Sequence, residues 1–172
     1  MNKNMSDTLP VICENAERTI EVAMGTTLLE VERQLRLDGP HPFLAAYVNN
    51  RIKELNYRIY KPVTVRFIDI TSFEGIRVYQ RTISFILQKA VRELFPDRTL
   101  YIRHSLGASG FYCEISGFGP IPAEHLDAIK TRMRGIIDRN LPIQGVKMLT
   151  DTARKIYEGF GMADKIALLD SR

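Results

Sequence analysis

The sequence predicts an α+β protein built in two parts, and three stretches predict it. Between Leu9 and Ile70, short runs that alternate apolar and polar residues surround a single stripe of helical spacing. From Gly75 to Pro96, GIRVYQRTISFILQKAVRELFP, the apolar residues Tyr79, Ile83, Ile86, Leu87, Ala90 and Leu94 recur at three and four, and Pro96 sits where such a helix would stop. Beyond it, alternation returns in TLYIRH and FYCEIS before another helical stripe. The long helix is the element around which the rest is organised.

The first part reads as follows. LPVICEN (9–15) and RTIEVAM (18–24) are two alternating runs joined by a tight Asn-Ala-Glu link, a β-hairpin that Gly25 ends. Thr27 followed three residues later by Glu30 is a capping box, and Leu28, Val31 and Leu35 are the apolar stripe of a short helix that Gly39-Pro40 terminates. Phe43 to Val48 is a strand, Asn49-Asn50 a turn, because asparagine tolerates positive φ, and Arg51 to Leu55 the return strand. In VTVRFIDI, Val63, Val65 and Phe67 face inward and Thr64 and Arg66 outward. This order of elements is that of a β-grasp fold, one helix lying across a small mixed sheet.

In the second part, Thr99 to His104 and Phe111 to Ser116 are paired strands joined by the Gly107–Gly110 link. Ala123 to Asn140 is an amphipathic helix with Pro122 near its first turn and Leu126, Ile129, Met133, Ile136 and Ile137 as its apolar face. Leu141 to Leu149 reads as an edge strand weakened by Pro142 and Gly145. Thr150 is expected to cap a helix ended by Gly161, with a last helical turn or two in MADKIALLDS.

The composition, 45% hydrophobic and 26% charged, is that of a globular chain. The start has neither the basic flank nor the apolar run of a secretory signal, so a soluble cytoplasmic protein without membrane contact is expected. Cys13 and Cys113 stand a hundred residues apart outside any CxxC pair, which predicts strand thiols and no metal site. A net charge of +4 permits contact with RNA or nucleotide phosphates without demanding it.

One constellation carries chemistry. Arg77, Arg81, Phe85 and Lys89 are each four residues apart, so they line one side of the long helix. Cations interleaved with an aromatic ring suit a nucleotide, whose phosphate takes the charge while a base stacks. A solvated helix face is the alternative. His41, His104 and His125 share neither a helix turn nor a metal spacing, and each is expected at the surface. No GxxxxGK[ST] phosphate loop occurs, and the glycines at 107 and 110 are read as a hairpin turn.

The phrases GTTLLEV, AAYVNNRIKELNYRI and VTVRFIDITSFEG resemble the TGS module at the amino end of threonyl-tRNA synthetases, over residues 8–74. AVRELFP, SGFYCEI, IPAEHLDAIKTRMRGIIDRNLPI and TARKIYEGFGMADKIALL resemble, in order, the editing domain that follows that module. QRTISFILQKAV and IRHSLGASGFYCEI are more similar to bacterial nucleoside kinases of the uridine kinase family, where such a front end precedes a P-loop kinase domain. The resemblance implies a disordered N-terminus over 1–7, a TGS-like β-grasp domain over 8–74, and an editing-like domain over 75–172 that is incomplete at its C-terminus.

Editing domains use an HxxxH pair with a later Cys and His. The pair falls here on Arg81 and Phe85, neither of which can act as a general base, so the segment is expected to be non-catalytic. Two functions remain in view. One is a regulatory or ligand-recognition region of a uridine kinase, with ATP and Mg2+ bound by a downstream kinase domain of the same chain and with nucleotide, RNA or a second copy as further partners. The other is a free-standing RNA-binding module that engages tRNA through Arg77, Arg81, Arg132 and Arg134.

Overall fold

The computed structural model describes residues 8–107 and 110–171. The expected disorder over 1–7, the middle of the Gly107–Gly110 link (Ala108 and Ser109) and the terminal Arg172 lie outside the described residues. The described residues fall into two units, divided between Asp138 and Arg139.

The first unit opens with β1 (Thr8–Cys13) and β2 (Arg18–Ala23), antiparallel with Val11 opposite Ile20. A single 3-10 turn, Glu14–Ala16, joins them, closed by Glu17 in the left-handed region at φ 50°. Helix α1 (Leu28–Leu35) follows, then β3 (Ala45–Val48), β4 (Arg51–Lys53) and β5 (Val63–Ile68). The five strands form one sheet in the order β2-β1-β5-β3-β4. The β1/β5 pair is parallel, Val11 beside Val63, and the other pairs are antiparallel. Past the end of the β1 ladder, the Asn15 amide takes over from the backbone: its Nδ2 donates to the Phe67 carbonyl (3.1 Å) and its Oδ1 accepts from the Phe67 N–H (2.7 Å).

The capping box forms as expected. Thr27 Oγ1 accepts from the Glu30 N–H at 3.2 Å, and Glu30 Oε2 accepts from the Thr27 N–H at 2.7 Å. Two further orphan N–H groups of the helix start, those of Leu28 and Leu29, donate to the carbonyls of Tyr57 and Leu55. The helix ends at Leu35, earlier than Gly39-Pro40, because Arg36 turns into the left-handed region at φ 48° and its N–H folds back on Arg33 and Glu32. Leu28, Val31 and Leu35 pack with Val11, Val65, Ile59 and Phe67 in one buried cluster, each fully buried apolar side chain contributing about 1.5–3 kcal/mol. Asn49 and Asn50, at φ 45° and 65°, make the β3–β4 turn.

The joint between β5 and α2 (Phe73–Leu94) is tightly built. Asp69, buried, accepts from the Thr71 N–H (2.9 Å) and hydroxyl (2.6 Å), which holds its carboxyl below the ordinary aspartate value. Ser72 is the N-cap: its Oγ donates to the Asp69 carbonyl and accepts from the Gly75 N–H, both at 3.0 Å. A Cβ at Gly75 would stand 1.7 Å from the Asp69 carbonyl oxygen, so only glycine fits.

Strands β6 (Leu100–Leu106) and β7 (Gly110–Ile115) form a two-stranded antiparallel sheet with a register shift between Ile102 and Ser105. Val91 of α2, Leu100, Ile115 and Ile129 of α3 (Ala123–Asp138) make a second buried cluster. The apolar face expected of the long helix is buried only in its last turns: Ala90 and Val91 are enclosed, whereas Tyr79 is 46% exposed. On α3, Ile129 and Ile136 are buried, but Leu126 and Ile137 are not. His125 is not a surface residue of no consequence, since its ring packs against Phe95 and Phe118, with centroids 5.2 and 5.1 Å away.

In the second unit, α4 (Thr150–Gly159) and α5 (Ala163–Asp170) are joined at Gly161, where the N–H groups of Gly161 and Met162 bond the carbonyls of Glu158 and Tyr157, a Schellman closure. Arg154 pairs with Asp170 across the two helices. Thr150 is the first helical residue and not the cap; Leu149 holds that position without a side-chain bond. Residues 141–149 form no strand. Pro142 removes a ladder donor and Gly145 a packing side chain, so the alternating LPIQGVKML has little to hold it extended against a neighbour. No helix among the described residues is long and apolar enough to cross a membrane.

Candidate functional site

The four-residue spacing on α2 places Arg77, Arg81 and Phe85 on one wall of a groove of about 590 Å³. The opposite wall comes from the β6–β7 hairpin, through Ile102, Ser105 and Phe111. Phe73, four residues before Arg77, extends the row by one place, and its ring lies 5.7 Å from the Arg77 guanidinium carbon. The helix therefore presents ring, cation, cation and ring in succession, with both rings more than half exposed.

Among the described residues no aspartate or glutamate lines this groove. Among the described residues neither Arg77 nor Arg81 takes part in an ion pair, so two guanidinium groups face the groove unneutralised. Gln80, Ser84 and Gln88 add amide and hydroxyl groups along the same helix. The set suits an anion held by planar donors beside a ring stacked on phenylalanine.

Lys89 is placed differently. Its ammonium lies 2.8 Å from Glu93 Oε1, while Arg132 of α3 donates to Glu93 Oε2 at 2.5 Å. The Arg132 bond first, and the Lys89 bond second, hold the Glu93 carboxyl down to about 2, from an ordinary 4.5. Lys89 and Arg132 thus tie α2 to α3 and are not among the groove's lining residues, whereas Arg134 stays exposed on α3. Arg81 and Phe85, the positions onto which the resemblance sets the histidine pair of editing domains, both line the groove. Among the described residues no group of three or more His, Cys, Asp or Glu is arranged to hold a metal ion.

The hairpin wall was beyond sequence reasoning, because only the fold brings Ile102 and Phe111 against α2. Phe73 was within reach, since it continues the same four-residue spacing.

No family model matches the chain. It is similar to threonine–tRNA ligases. The ligase of Clostridium kluyveri is 28% identical over 152 residues, which is 88% of this chain and 24% of that protein. The ligase of Desulforamulus reducens is 28% identical over 149 residues, 87% of this chain and 23% of the relative. That of Orientia tsutsugamushi is 31% identical over 147 residues, 86% and 22% respectively. The chain thus spans about a quarter of the length of the curated relatives it matches. These matches correct the expectation of a nucleoside-kinase parent: over most of its length the chain is similar to tRNA ligases.

Proposed function

We propose that this chain is an RNA-binding module, derived from a threonyl-tRNA synthetase, that engages tRNA through the groove between α2 and the β6–β7 hairpin. The observation that carries this reading is the acid-free groove in which Arg77 and Arg81 are interleaved with Phe73 and Phe85. The similarity to threonine–tRNA ligases over 88% of the chain supports tRNA as the ligand class. Within this reading residues 8–74 are a TGS-like β-grasp domain, for which the parallel β1/β5 pair and the helix between β2 and β3 speak. Residues 75–172 are an editing-like domain in which binding has been kept and ester hydrolysis lost.

The test is tRNA affinity as a function of salt. Each phosphate contact released adds about one unit to the slope of log affinity against log salt. Arg77→Ala and Arg81→Ala should each weaken binding roughly tenfold at low salt and each lower that slope by about 1. Absence of tRNA binding at low salt, or variants that bind like the parent, overturns the proposal. Arg132→Ala should loosen the α2–α3 contact with a smaller effect on affinity.

A further inference from the structure

The hairpin has a second face, turned away from α2 and α3. Leu100, Cys113 and Ile115 point into the buried cluster, so alternation sends Tyr101, Arg103, Tyr112 and Glu114 the other way. The outward rings are 40% (Tyr101) and 44% (Tyr112) exposed, unusual occupants for the wet side of a small sheet. Each is already stacked on one partner: the Arg103 guanidinium lies 4.6 Å from the Tyr101 centroid, and His104 lies 5.3 Å from Tyr112 at an interplanar angle of 27°.

These rings border a cleft of about 690 Å³ whose far side is the turn from Ser116 to Pro120. That turn is rigidly made. Arg98 donates from Nη1 to the Ser116 carbonyl at 2.9 Å and lies over the Phe118 ring at 3.9 Å, while the Ser116 hydroxyl accepts from the Thr99 N–H at 2.8 Å. Gly117 sits at φ +72° with Arg98 Nη1 pressed so close that a Cβ would meet it at 2.4 Å. The cleft therefore has a fixed wall, and its size is within the range of small-ligand sites.

Its chemistry selects one class of occupant. Among the described residues the one carboxylate lining it, Glu114, is neutralised by Arg103, whose Nε lies 2.8 Å from Glu114 Oε2. Arg103 pairs with Glu114 through Nε, and a guanidinium set over a ring extends a stacking surface while drawing in phosphate. Exposed strand aromatics with an interleaved arginine suit unstacked bases of a single strand; a duplex keeps its bases inside and offers them no face.

We propose that the outer face of the β6–β7 hairpin, Tyr101, Arg103 and Tyr112 facing the 116–120 turn, is a stacking platform for an unpaired nucleobase of single-stranded RNA. It takes its ligand class from the RNA reading above but uses the other side of the hairpin, so the two can fail separately.

The experiment measures quenching of 2-aminopurine in a single-stranded adenine-rich RNA, with the same sequence as a blunt duplex for comparison. The parent protein should quench the single strand and leave the duplex unquenched. Tyr101→Ala and Tyr112→Ala should each weaken single-strand binding roughly tenfold, as loss of one base–ring stack does, while Tyr112→Phe, which keeps the ring, should bind like the parent. Unchanged melting temperatures exclude unfolding, and the Phe variant guards against a misfolded Ala variant.

Lys130→Ala, on α3 and lining neither the groove nor the cleft, should leave the quench in place. If the Tyr variants quench as the parent does, or the protein lowers the duplex signal equally well, the platform is overturned. Loss of tRNA binding in Arg81→Ala alongside normal quenching in the Tyr variants would keep the groove and discard the platform. The reverse pattern would keep the platform and discard the groove.

Discussion

Single residues set the limits of this fold at two points. At Gly75 any side chain drives a Cβ into the Asp69 carbonyl, so Gly75→Ala should cost about 2 kcal/mol or more and lower the melting temperature by roughly 4–8 °C in a thermal scan. Glu93 is the second point. Its carboxyl is held below the unfolded value by Arg132 and Lys89, so the folded state binds its proton less readily than the unfolded chain does. The stabilisation it gives is complete above pH 4.5 and is lost as the pH falls from there toward about 2. Melting temperatures across that window should fall less steeply for Glu93→Gln than for the parent. The basic row was legible in the sequence because spacing alone aligns Arg77, Arg81 and Phe85. The withdrawal of Lys89 was not, because Arg132, the other cation on Glu93, stands thirty-nine residues away in sequence.

At the scale of elements, the reading succeeded where one local interaction decides the outcome. Thr27 and Glu30 announce the start of α1, and their reciprocal hydrogen bonds make Thr27→Ala an expected loss of about 1 kcal/mol, measurable by urea denaturation. It failed where two local signals compete. In α1 the stop comes from Arg36 entering the left-handed region, a backbone choice that arginine does not advertise, while the visible Gly39-Pro40 lies further on. In 141–149 the alternation of side chains argues for a strand, yet a strand needs a partner's backbone, and alternation cannot supply one. Tyr79 illustrates the same limit on α2: its periodicity is that of a core residue, but it belongs to neither buried cluster and stays 46% exposed.

For the whole molecule, sequence order alone placed all seven strands and all five α-helices of the described residues, with 141–149 as one strand too many, because period two and a three-and-four spacing seldom imitate each other over such lengths. Function was less legible. QRTISFILQKAV and IRHSLGASGFYCEI point toward a kinase while their neighbours point toward a synthetase, and the similarity to threonine–tRNA ligases over most of the chain removes the kinase. A mildly basic chain that binds through few phosphates should lose affinity for tRNA only moderately between low and physiological salt, a titration by fluorescence anisotropy being the check. The joint at 69–75 bears on how such a surface can change over time. Because Asp69, Thr71, Ser72 and Gly75 are locked together without slack, adding or removing one residue there would turn α2 about its axis by about 100°. The arginine row would then point away from the hairpin. Point substitutions can retune the groove gradually, but insertions and deletions at the joint can only keep it or erase it, so the length of that short connector is a sharper marker of a working groove than any residue within it.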